Sequence, residues 1–192
     1  MPSCGQLKRG MAAPCVPAAG GLTTLLGLLP MAFIIGVQRS TEKRKIVTGI
    51  SLATGKKGFF FEGLADSNVG RATYTPNRFG GRYLHEVDLV NFANTPENLE
   101  TIEDMAKTPS VAIIKANDGF YKIFGLGAGL KLSADVYDSA NEDLGGGSQE
   151  TISSAKEGGR EDILMVLDDE GNYDEAATRT LFESLFVAVP AA

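Results

Sequence analysis

The apolar and polar positions along this chain read as short β-strands punctuated by turns, with one clear helix. Residues 22–37 (LTTLLGLLPMAFIIGV) are mostly apolar and are broken by Gly27 and Pro30. This predicts a buried strand over about 22–28, a turn at Pro30, and a second strand over about 32–37. Residues 46–53 (IVTGISLA) mix β-branched and small side chains, and Thr54-Gly55-Lys56-Lys57-Gly58 leads into Phe59-Phe60-Phe61-Glu62, which together predict a hairpin. Residues 83–92 alternate. Leu84, Glu86, Asp88 and Val90 share one face, while Tyr83, His85, Val87, Leu89 and Asn91 share the other, more apolar one. His85 is therefore expected among core or interface side chains and not as a ligand.

The helix opens at Thr95-Pro96-Glu97. Thr95 suits the cap, Pro96 the first helical position, and Glu97, Glu100, Glu103 and Asp104 gather toward the N-terminal end of the dipole. Leu99, Ile102, Met105 and Ala106 fall on one side, so an apolar stripe over about 96–107 is expected to pack on a sheet. A hairpin follows, with arms at 111–116 and 120–126 around Asn117-Asp118-Gly119. Further strands are expected near 130–132, 151–155 and 163–167, and a C-terminal helix over 174–189, where Ala176, Ala177, Leu181, Leu185 and Phe186 approach helical spacing. The fold class is thus α+β, mainly β: an antiparallel sandwich or barrel with one flanking helix. One domain over 21–167 is expected between an N-terminal arm (1–20) and a C-terminal extension (168–192).

Composition supports this class. With 192 residues, 43% hydrophobic, the chain can bury one sizeable core, and 23 Gly with 8 Pro and no Trp point to many turns. Cys4 and Cys15 have no further cysteine to pair with, and His85 is distant in sequence, so both read as free thiols. The apolar run at 22–37 is sixteen residues long, short of the roughly 20 that a membrane-spanning helix needs. Charge changes the picture more. Residues 1–94 hold eleven Lys/Arg against five Asp/Glu, and residues 95–192 hold seven against nineteen, within a net charge of −6. Such a split suits a protein that stacks on copies of itself or lines a passage for a polyanion.

The chemical motifs are weak by comparison. Gly125-Leu126-Gly127-Ala128-Gly129-Leu130-Lys131 has the glycines of a phosphate loop but lacks Gly-Lys-Ser/Thr and follows a hairpin arm. The stretch 135–143 carries oxygen ligands without the alternate spacing and central glycine of an EF-hand. With one histidine, no Ser, Cys or Thr nucleophile pairs convincingly with a base, so enzyme function is not expected. Arg71, Arg78 and Arg82 lie among Tyr74 and Phe79, a basic, aromatic stretch that fits nucleic acid or an acidic neighbour.

The run of Cys15, Gly20-Gly21-Leu22-Thr23-Thr24-Leu25-Leu26-Gly27-Leu28, then Lys45-Ile46-Val47-Thr48-Gly49-Ile50-Ser51-Leu52 and Gly58-Phe59-Phe60-Phe61-Glu62, resembles the tail-tube proteins of bacteriophages. The hairpin from Ser110 to Ser133 is similar to that family's hairpin. The likeness spans about residues 15–167, and the chain after Leu167 departs from it. The resemblance implies a β-sandwich or barrel flanked by a helix, hexameric rings made by joining sheets across subunits, and rings stacked into a tube in the virion tail. It implies tape-measure, terminator, baseplate and sheath proteins as partners, DNA passing transiently through the lumen, no membrane and no cofactor, with synthesis in the bacterial host cytoplasm. Carboxylates in such a lumen repel the polyanion and keep it moving. Glu86, Asp88, Asp118 and Glu150 are the lumen candidates, and Lys43, Arg44, Lys45, Arg71, Arg78 and Arg82 the candidates for contacts between subunits. Alternatives are another virion component such as a baseplate ring or connector, the inner tube of a contractile injection apparatus, a monomeric module binding nucleic acid or protein, and a small calcium-dependent enzyme.

Overall fold

The computed structural model describes residues 22–62, 67–76, 78, 80–92, 94–139 and 147–187. Both cysteines, the N-terminal arm over 1–20, Phe79, residues 140–146 of the acidic stretch and the end of the expected C-terminal helix lie outside the described residues. In chain order the strands are β1 (Leu22–Pro30), β2 (Ile34–Arg39), β3 (Ile46–Leu52), β4 (Phe59–Glu62), β5 (Val69–Thr75), β6 (Arg82–Asn91), β7 (Ser110–Ala116), β8 (Tyr121–Phe124), β9 (Lys131–Tyr137), β10 (Ser148–Glu157), β11 (Asp162–Leu164), β12 (Val166–Leu167) and β13 (Tyr173–Asp174). Helix α1 (Pro96–Lys107) separates β6 from β7, and α2 (Glu175–Ser184) follows β13. The chain is mainly β, as its pattern predicts.

Seven strands form one sheet in the order β2-β3-β11-β8-β7-β1-β4, and four form a second in the order β5-β6-β10-β9. Strand β7 explains the layering. All its residues except Lys115 are buried, because both faces of the large sheet are covered. Ala112, Ile114 and Ala116 join Leu26, Leu28, Val87, Leu89 and Ile152 in a core between the two sheets. Val111 and Ile113 join Leu29, Val47 and Ile123 with Phe182, Leu185 and Phe186 on the opposite face. The molecule is therefore a two-sheet sandwich with α2 as a third layer, and residues 168–187 complete its core instead of extending from it.

The turn at Pro30 is a single 3-10 turn, Met31–Phe33, between β1 and β2. The expected hairpin between 46–53 and 59–62 does not form. Strand β3 pairs with β2 and, in parallel, with β11, while β4 pairs with β1 at the far edge of the sheet. The β7–β8 hairpin does form, and Gly119 takes φ +84° in its turn, where a side chain would be strained. In α1 the Thr95 hydroxyl accepts the Asn98 N–H at 3.3 Å. Only Ile102 and Met105 of its stripe are buried, with Leu99 47% exposed, so α1 meets the sandwich along one turn. Residues 22–37 form strand β1, the turn and most of β2, and no helix among the described residues is long and apolar enough to cross a membrane.

Candidate functional site

Cross-strand register puts the outer face of the four-stranded sheet on view. Arg71, Glu86, Ser153 and Lys131 lie opposite one another in one row across β5, β6, β10 and β9. Val69, Asp88, Thr151 and Ala134 form the adjoining row. Directly opposed residues share a face, so two acids, two bases and two hydroxyls make up the centre of this surface. Asp88 is only 6% exposed because its neighbours cover it: Arg71 Nη1 sits 2.5 Å from one carboxylate oxygen and Thr151 Oγ1 donates to the other at 2.8 Å.

Of the four acids expected to share a lumen, Glu86 and Asp88 do share this face. Glu150 does not. It stands opposite Leu89 on the inner face of the same sheet and is 2% exposed. Burial pushes its carboxyl above the usual range, partly offset by the Ser148 hydroxyl, which donates at 2.5 Å. Asp118 belongs to the β7–β8 turn of the other sheet, where it pairs with Lys122 at 2.8 Å and accepts the Phe120 N–H.

Three of the six basic candidates are engaged within the chain through their side chains. Arg71 holds Asp88, Arg82 donates to the Lys156 carbonyl at 3.1 Å, and Lys45 donates to the Arg160 carbonyl and lies 3.2 Å from Asp162. Arg39 reaches the same Asp162 with both terminal nitrogens, so the turn between β2 and β3 is tied to β11. Lys43, Arg44 and Arg78 are exposed. Part of the charge split along the sequence is thus closed within the chain, where Arg39 and Lys45 meet Asp162.

The edges of the small sheet are the more telling feature. Among the described residues β5 pairs only with β6 and β9 only with β10, leaving one side of each strand without a ladder. Strand β9 is exposed at every position but Leu132, with Val136 54% and Tyr137 62% exposed, and Tyr74 on β5 is 50% exposed. An open edge carrying apolar side chains is a template for pairing with another strand.

One functional-looking group was not singled out in the sequence. Glu157, at the end of β10 and 4% exposed, accepts the N–H of Gly127 and of Ala128, both at 2.9 Å. The glycine loop at 125–129 therefore does cradle an anion, and the anion is the chain's own carboxylate. Gly125 and Gly129 hold φ of +76° and +77°, which shapes the loop for this. No local signal marks Glu157, since its partners lie some thirty positions earlier.

His85 sits beside this loop. Its Nδ1 accepts the Gly125 N–H at 3.1 Å and its Nε2 lies 3.0 Å from the Gly159 carbonyl, so the neutral ring carries its proton on Nε2. Burial lowers its pKa from 6.5, outweighing the attraction of Glu157. Protonation would also destroy the bond from Gly125. A lowered histidine pKa means the unfolded chain takes the proton first, so this contribution to stability is complete above about pH 6.5 and declines as pH falls below it. Because the chain has one histidine, an NMR titration of the folded protein reads it directly. The midpoint is expected below 6.5, and one at or above 6.5 refutes the assignment.

Comparison with protein-family models, with curated proteins and with solved structures finds no match to this chain.

Proposed function

We propose that this chain is a structural subunit that closes into rings through the edges of its four-stranded sheet, and that the rings stack into a bacteriophage tail tube. The observation that carries the reading is the pair of open edges, β5 and β9, on opposite sides of one small antiparallel sheet. Joining β9 of one protomer to β5 of the next is a head-to-tail contact, and repeated around an axis it closes a ring and leaves the small sheet no edge. The resemblance to tail-tube proteins, which build rings by joining sheets, supports the same conclusion. So does the engagement of Arg71 and Arg82 within the protomer, which weakens the reading as a nucleic-acid-binding module.

In such a ring the outer face of the small sheet lines the channel. Its charge is balanced, with Asp88 held by Arg71 and hydroxyls between. A lining of this kind offers DNA few free cations to bind, so little counterion release would hold the polyanion in place. Glu86 is the acid this face still presents, and Glu150 and Asp118 take no part in the lining.

Light scattering of the purified chain over a range of salt and protein concentrations, followed by negative-stain imaging, tests the proposal. Rings or tubes are expected. The double variant Val136→Lys, Tyr137→Lys adds charge to the exposed edge of β9, and it is expected to give monomers with an unchanged far-UV circular dichroism spectrum. A wild-type chain that stays monomeric under every condition overturns the reading, as does a double variant that assembles as well as wild type.

A further inference from the structure

Between α1, β4 and the inner face of the small sheet lies a cavity of about 340 Å³. Its size falls in the range of small-ligand sites, and its walls have their character, with Phe61, Leu89, Ile102 and Met105 supplying apolar surface. The charged residues lining it are both acids. Glu150 is buried inside and Glu62 is exposed at the rim, and no Lys, Arg or His lines it among the described residues.

Glu150 makes this more than an empty space. An inward carboxylate in a sandwich core is costly unless something positive meets it. Here it receives a hydroxyl hydrogen bond from Ser148 and one from its own backbone N–H, and among the described residues no cation lies within ion-pair distance of it. Asp135, opposite Glu150 on β9, adds negative potential. Asn68, Asn91 and Asn98 border the same space, where Asn98 donates to the Asn91 side-chain carbonyl at 3.2 Å and Asn91 donates in turn to Asn94.

We propose that this cavity binds a small aliphatic ammonium ion, its charged end paired with Glu150 and its hydrocarbon against Leu89, Ile102 and Met105. The site is independent of ring assembly and stands or falls separately from it. A single buried carboxylate with apolar walls suits an organic cation better than a metal ion, which needs several oxygen ligands. Proton balance follows from the site. Where the Glu150 carboxyl is protonated, binding of the ammonium converts it to carboxylate and passes its proton to the buffer.

The test is calorimetric titration of the full chain with n-pentylammonium and 1,5-diaminopentane, with 1-pentanol as the uncharged probe. Both amines are expected to bind and pentanol not to. Glu150→Gln keeps an acceptor for Ser148 and removes the charge, so it is expected to melt no lower than wild type and to lose amine affinity by about tenfold or more. Near the pH where Glu150 ionises, the measured heat is expected to change between buffers of different ionisation enthalpy, which reports proton release without any variant. Failure of the amines to bind at millimolar concentration, equal binding of pentanol, undiminished binding by Glu150→Gln, or buffer-independent heats across the acid range would each overturn the proposal.

Discussion

Replacing Phe186 with alanine is expected to lower the stability of the fold by about 3–5 kcal/mol, read as a fall in the urea midpoint with the slope unchanged. Phe186 is 1% exposed and lies beyond the second α-helix, in the segment whose role was least readable from sequence. Its ring stands 4.7 Å from Phe60 and 5.1 Å from Phe182, centre to centre. The backbone on either side is fastened as well, since Gly58 donates to Leu185 and Val187 donates to Gly58, both at 2.9 Å. The ring fills the space that two glycines leave open. A Cβ on Gly27 would fall 2.3 Å from Phe186 Cζ, and one on Gly58 would fall 2.6 Å from its ring. Gly27→Ala in the wild-type background is accordingly expected to cost about 1–3 kcal/mol by overpacking. In the Phe186→Ala background it is expected to cost less, because the cavity receives the added methyl. A loss below about 1 kcal/mol for Phe186→Ala, or strict additivity of the pair, would show that this contact does not hold the C-terminal segment to the sheet.

Glu157→Ala is expected to destabilise by about 2–4 kcal/mol, since it strips a charged acceptor from two backbone N–H groups at once. The effect concentrates in one place. Gly127 and Ala128 belong to a turn closed by the bond from Gly129 N–H to the Gly125 carbonyl, and Glu157 ties that turn to β10. Amide hydrogen exchange of 125–130 is expected to accelerate beyond the global change, while exchange in β7, the strand buried on both faces, tracks the global stability alone. Uniform acceleration across the sandwich would refute a local role. His85 offers a second readout, because Glu157 raises its pKa against the lowering by burial. Without that charge, its titration midpoint is expected to move further below 6.5.

Elements whose determinants lie within a few residues were legible in the sequence. Thr95-Pro96 starts α1 through its own hydroxyl and ring, and Asn117-Asp118-Gly119 turns β7 into β8 with Gly119 at positive φ. Alternation in β6 placed His85, Val87 and Leu89 inward, as observed. The same rule fails on β10. Ser148, Glu150, Ile152, Ser154 and Glu157 are its buried positions and four of the five are polar, so a period of two leaves the core face unmarked. The turn at 54–58 looked sufficient for a hairpin, yet β3 and β4 went to different neighbours. Turn chemistry permits a reversal of the chain, whereas the choice of partner is made by which strands bury the most surface together.

The sandwich class, its one well-capped helix, its central hairpin and the inward position of the lone histidine thus follow from local chemistry and periodicity. Everything that joins distant segments waited on the folded chain: the third layer built on Phe182 and Phe186, the carboxylate of Glu157 in the glycine loop, the pairing of Arg71 with Asp88, and the open edges of β5 and β9. Each of these depends on contacts between residues far apart in sequence, and a linear pattern carries no record of which surfaces will meet.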